Sequence, residues 1–110
     1  MSDNLKKTIK ELPEDERPRE KLLKFGADKL SDSELLAILL RTGTKGKSAI
    51  EMAEEIIKSA GGSFKGLAGK DIEELTKIPG VKNAKVITVA ATLEIARRIS
   101  KQILKDRGII

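Results

Sequence analysis

The sequence predicts an all-α domain, and three observations carry that prediction. Apolar residues recur at helical spacing in several separate stretches. Hydroxyl or carboxylate residues stand ahead of those stretches, where helix starts need caps. No segment alternates polar and apolar residues for long enough to form a strand. A chain of 110 residues has room for one modest core. The expected architecture is a compact body of about five helices over residues 18–110, behind a flexible tail over residues 1–17.

The elements follow in order. Met1 to Arg17 is polar and mixed in charge, with a short turn near Leu12-Pro13. Pro18 suits a first helical position. The helix behind it offers Leu22, Leu23 and Phe25 for burial and stops at Gly26. Ser31-Asp32-Ser33-Glu34 is a capping-box pattern, and the helix Glu34–Arg41 carries Leu35, Leu36, Ile38, Leu39 and Leu40 around most of its surface. That makes it the expected central, buried helix. Thr42 to Lys47 is a turn. Ser48–Ala60 is amphipathic, with Ala49, Ile50, Ala53, Ile56, Ile57 and Ala60 inward and Glu51, Glu54, Glu55 and Lys58 outward. Gly61-Gly62 ends it. Ser63–Leu67 is a one-turn connector anchored by Phe64 and Leu67. Asp71, with Glu74 in the reciprocal position, caps a helix expected to reach Ile78. The last helix runs from about Asn83 to Ile103 and buries Val86, Val89, Ala90, Leu93, Ala96, Ile99 and, at its end, Ile103. Val86-Ile87-Thr88-Val89 is β-prone but sits inside this helical period.

Leu75 to Val86 has the shape of a helix-hairpin-helix. Pro79-Gly80 breaks one helix, Val81 plugs the turn, and the next helix starts at once. Such a turn leaves backbone N–H groups without intrahelical partners. The helix dipole adds partial positive charge there, so a phosphate oxygen can be held. The candidate contacts are Gly80, Val81, Lys82, Asn83 and Lys85. This grip would hold a nucleic-acid backbone without reading bases. The competing reading is a purely structural turn. Two departures from the ideal motif favour it: Lys82 stands where a second glycine is usual, and Val86 where alanine is usual.

Leu36–Ala53 and Leu75–Ala91 share one plan: apolar helix, glycine-containing turn, lysine, amphipathic helix. The pair suggests a tandem arrangement, with Gly43, Lys45, Gly46 and Lys47 as a second, weaker phosphate contact or a plain turn. Gly43-Thr44-Lys45-Gly46-Lys47-Ser48 falls short of a P-loop. Two residues separate the glycines where four are needed, and a helix precedes it instead of a strand.

Charge is unevenly spread. Up to Val81, 15 Lys/Arg balance 15 Asp/Glu; from Lys82 onward there are seven Lys/Arg against two acids, so the whole net +5 lies in the last quarter. A basic segment attached to the hairpin would extend a nucleic-acid footprint through Arg97, Arg98 and Lys101. The bland alternative is that basic residues late in a helix complement its dipole.

The chain has no Cys, His, Trp or Tyr. That excludes thiolate and imidazole metal sites, disulfides, and Ser-His or Cys-His catalysis. No cofactor is expected and no enzyme activity is assigned to these residues. Glu54-Glu55 and Glu73-Glu74 read as solvated helix faces, and Ser31, Ser33 and Asp71 as caps. Phe25 and Phe64 read as core residues, which leaves no stacking platform for unpaired bases. The N-terminus has no apolar signal region and the longest apolar run is Leu35–Leu40, far short of a membrane span. The expected location is cytoplasmic.

Glu16-Arg17-Pro18-Arg19-Glu20-Lys21-Leu22-Leu23 and the run from Leu30 to Ser48, above all Arg41-Thr42-Gly43-Thr44-Lys45-Gly46-Lys47-Ser48, resemble the N-terminal region of bacterial RadC-like proteins. The resemblance covers about Leu12 to Arg98. It implies a tandem helix-hairpin-helix domain similar to that of RuvA, sequence-independent DNA binding and a provisional link to DNA repair. Complete RadC-like proteins continue into a JAB/MPN-like metallopeptidase domain with a His/Asp zinc site. The residues for that activity are absent here, so the implied partners are DNA and, in the alternative reading, a RadC-type catalytic domain or another protein that this module would position.

Overall fold

A computed structural model describes residues 17–110, and the expected tail lies outside the described residues except for Arg17. The regular elements of the described residues are all helices, in the order α1 (Pro18–Phe25), α2 (Asp32–Leu40), α3 (Ala49–Ser59), α4 (Phe64–Ala68), α5 (Ile72–Leu75) and α6 (Asn83–Asp106), with a 3₁₀ turn at Ala27–Lys29. The all-α expectation holds. One more helix forms than the sequence suggested, because the Ser63–Leu67 connector winds into α4. Ser63 Oγ accepts from the Gly66 amide at 3.4 Å, and Leu67 is fully buried.

The helix starts follow side-chain chemistry. Ser31 and Glu34 form the expected capping box on α2. Ser48 and Glu51 form a second one on α3, from a pattern equally visible in the sequence. The Asp71 cap is corrected. Asp71 holds the N-cap position but its side chain makes no cap bond, and the Glu74 carboxylate goes to Lys70 Nζ at 3.1 Å. Helix α5 stops at Leu75 instead of Ile78. Bonds from Lys77 to Glu74 O, Ile78 to Leu75 O and Val81 to Ile78 O tighten the chain into successive short turns. Pro79 explains this, since it drives the preceding residue out of helical conformation.

Packing centres on α2 and α3, which share the largest interface. The core joins Leu36, Ala37 and Leu40 of α2 to Ala49, Met52, Ala53, Ile56 and Ile57 of α3, then to Leu67, Leu75, Val81, Val86 and Val89. The most deeply buried helix is therefore α3, not α2. On α2, Leu35, Ile38 and Leu39 face an apolar groove of about 420 Å³ shared with Leu22, Phe64 and Leu93. Five further burial expectations fail, two on α1 and three on the last helix. Leu23 is 84% exposed and Phe25 49%, because α1 is short and touches the body along one edge. The last helix buries Val86 and Val89, but Ala96 is exposed and so are Ile99 at 56% and Ile103 at 44%. From Ile95 onward every residue of α6 is exposed, with Ala96 at the rim of the apolar groove.

Candidate nucleic-acid interface

The two glycine-containing turns lie against each other. Gly80 adopts φ +87, and a Cβ built there would fall 2.6 Å from Thr44 Cγ2. Thr44 belongs to the first turn, so the turns meet at the Cα of Gly80. Its only compatible residue is glycine, on grounds of both conformation and space.

The first turn is built in two steps. Arg41 has φ +68 and ψ −54, and the Thr42 amide donates to Leu40 O at 2.7 Å. This is a γ-turn of the positive-φ kind, rare and strained for a residue with a Cβ. Thr44 and Lys47 then exchange two backbone bonds, each 2.9 Å, around Lys45 and Gly46, with Gly46 at φ +81. Gly43 lies too close to Lys47 O for any side chain to fit. The result is a closed reverse turn.

Lys85 joins the two turns. Its ammonium donates to Leu40 O at 2.8 Å, Thr42 O at 2.8 Å and Thr42 Oγ1 at 3.3 Å. All three ammonium donors are thereby committed. They meet the carbonyls at the C-terminal end of α2, where a cation is favoured, and they brace the strained Arg41 turn. Lys47 is also committed, to Glu55 at 2.6 Å.

The second turn presents a different surface. Val81 is buried, its amide bonded to Ile78 O at 3.0 Å. The amides of Gly80, Lys82, Asn83 and Ala84 meet no acceptor among the described residues. The N-cap of α6 is Lys82, with no side-chain cap. Lys45 and Lys82 are exposed and unpaired among the described residues.

Arg97, Arg98 and Lys101 stand apart from this surface. They lie about 20–30 Å up α6 from Lys82 at a rise of about 1.5 Å per residue. Arg97 meets both Glu94 oxygens, at 2.9 and 2.8 Å, and Arg98 Nε meets Glu94 Oε2 at 2.8 Å. The Arg97 fork, then that of Arg98, hold the Glu94 carboxyl down to about 2, and Glu94 in turn raises Arg97. One carboxylate thus engages two guanidinium groups. Of the three, Lys101 alone has no partner among the described residues.

A family model for the N-terminal domain of UPF0758 proteins matches residues 9–87. The chain belongs to the UPF0758 family. It is similar to a UPF0758 protein of Bacillus licheniformis, 44% identical over 102 residues, covering 93% of this chain and 45% of that one. A UPF0758 protein of Alkaliphilus oremlandii is 47% identical over 93 residues, covering 84% of this chain and 40% of that one. One from Clostridium botulinum is 46% identical over 98 residues, covering 89% and 42%. The chain therefore spans less than half the length of the curated relatives it matches. No solved structure matches it. No helix among the described residues of this UPF0758 chain is long and apolar enough to cross a membrane.

Sequence reasoning missed Thr42, Thr44 and Arg41 in this region. Nothing in the sequence marks a positive φ at an arginine. The Gly43 and Gly46 signals drew attention two and five residues further on. The partnership of Lys85 with residues 43 and 45 positions away is equally invisible to local pattern.

Proposed function

We propose that this domain binds DNA without reading its sequence, gripping the backbone through the Gly80–Asn83 turn as a helix-hairpin-helix. One observation carries the reading. The turn offers open amides at an uncapped start of a 24-residue helix, with Lys82 beside them and Lys45 on the adjoining turn, both exposed and unpaired among the described residues. Gly80 and Lys82 make the main contact; Lys85 is the brace that sets the distance between the turns. Val86 is 2% exposed, so the residue that replaces the motif's usual alanine is taken up by the core. In this reading the domain carries no catalysis of its own.

The test is fluorescence anisotropy with a labelled duplex across a salt series. Each phosphate contact contributes about −0.9 to the slope of log K against log salt. Reversing Lys82 and Lys45 together to Glu should cut affinity at least tenfold on unrelated sequences and flatten that slope. Unchanged binding by the folded double variant would remove the site assignment.

The apolar groove of about 420 Å³ favours a second reading, a module that positions a partner or a following domain. Weak, salt-insensitive DNA binding would support it.

A further inference from the structure

Ile95, Ile99 and Ile103 recur every four residues along the second half of α6, and all three are exposed. At 3.6 residues per turn that spacing keeps them in one shallow stripe. By the same rotation Thr88, Ala91, Thr92, Ala96 and Gln102 flank the stripe. This face of the helix therefore carries no charge from Thr88 to Ile103, and it closes at Asp106. The charges of the same stretch lie round the helix from it: Glu94 pairs with Arg97 and Arg98, and Lys101 follows on their side. The stripe also runs into the rim of the apolar groove, whose wall includes Thr92, Leu93 and Ala96. A contiguous apolar face left on a protein surface marks an interaction site. Its layout says what fits it. Ile95 and Ile103 lie equally far from Ile99, so a two-fold axis through Ile99 sets Ile95 of one copy opposite Ile103 of the other. The face is thus complementary to itself. Its neutrality lets two chains of net charge +5 meet there without like charges in contact, and it offers an oppositely charged partner nothing to pair with.

We propose that this face pairs with a second copy of the chain, the two α6 helices lying antiparallel and crossing at Ile99. The antiparallel sense opposes the two helix dipoles and sets the two helical bodies at opposite ends of the seam. Alanine at positions 91 and 96 lets the helices approach closely. The overlap from Thr92 to Asp106 is about 22 Å of helix, with groove rim added at each end. A contact of that length is at the small end of specific interfaces, so the dimer should dissociate in the micromolar range. The pairing does not rest on DNA binding.

Two measurements test this. Sedimentation velocity over a dilution series from about 1 μM to about 1 mM should pass from monomer to dimer, with little dependence on salt. Ile99→Lys sets two ammonium groups face to face on the axis and should weaken association at least tenfold. Ile99 is exposed in a single copy, so the variant's own fold is left alone. Ile87→Lys, on the same helix but off this face, should leave association unchanged. The chain has no cysteine, which makes cross-linking by single substitutions clean. Under mild oxidation Ile99→Cys should link to its own copy, because only residues on the axis bring two like positions within the roughly 7 Å that a disulfide spans. Ile95→Cys alone should not link, while a mixture of Ile95→Cys and Ile103→Cys should. A monomer throughout the series overturns the proposal and leaves the face to a following domain or another protein. A dimer that Ile99→Lys does not weaken overturns this face as the interface. Linking by Ile95→Cys alone, as readily as by Ile99→Cys, overturns the antiparallel arrangement.

Discussion

At position 80 two constraints coincide. The backbone has φ +87, and a methyl group there would lie 2.6 Å from Thr44 Cγ2 and 2.9 Å from Met52 Cε. Gly80→Ala therefore incurs left-handed strain and a clash between the turns, and should destabilise the domain by roughly 2 kcal/mol or more; a urea titration reads this directly. Lys85 shows how residue-level legibility runs out. A lysine two positions into a helix after a glycine turn reads as a phosphate contact. Whether its charge is free depends on carbonyls more than forty residues away, and folding spends it on α2. Lys82 occupies a similar place in sequence yet is exposed and unpaired among the described residues, none of which packs over the tip of the turn.

Among the elements, α1 and α2 are tied through Glu34. Its carboxylate accepts from the Ser31 amide at 2.9 Å and from Lys21 Nζ at 3.1 Å, so one side chain completes a cap and holds α1 in place. Partial burial pushes its carboxyl up, but the Ser31 amide and hydroxyl and the Lys21 ammonium outweigh this, and Glu34 lies below its ordinary 4.5. A carboxyl depressed in the folded state stabilises above its unfolded value and loses that contribution as pH falls. Stability should decline as pH drops below about 4.5, and Glu34→Gln should flatten the decline while costing about 1–2 kcal/mol at neutral pH. Thermal melts at stepped pH check both.

At this scale the sequence was most readable where chemistry is local. The α2 capping box, the Gly61-Gly62 stop and the amphipathic period of α3 follow from neighbours within a turn. The end of α5 was misjudged because its apolar period runs on to Ile78, where Pro79 disfavours helix; the Asp71 cap was misjudged because its side chain makes no cap bond. The end of α6 was misjudged because helical periodicity identifies an apolar face but not whether anything lies opposite it.

The described residues span 54 × 34 × 22 Å, with the second half of α6 extending beyond the core. Ile95, Ile99 and Ile103 line one side of that extension and are 60%, 56% and 44% exposed. A surface residue without packing partners tolerates charge, so Ile99→Lys should move the melting temperature by little, within about 0.5 kcal/mol of stability. A large drop would show that α6 packs against more of this chain than the helical body.

The contact of Thr44 with Gly80 and the reach of Lys85 to Leu40 and Thr42 also govern how the fold opens. Neither turn can swing out without releasing the other. Amide protons of Thr44, Lys47 and Val81, far apart in the chain, should therefore exchange with deuterium through one shared opening event and report one free energy. Lys85→Met would split that unit, letting the first turn exchange early while Val81 keeps the slower rate of the core it plugs.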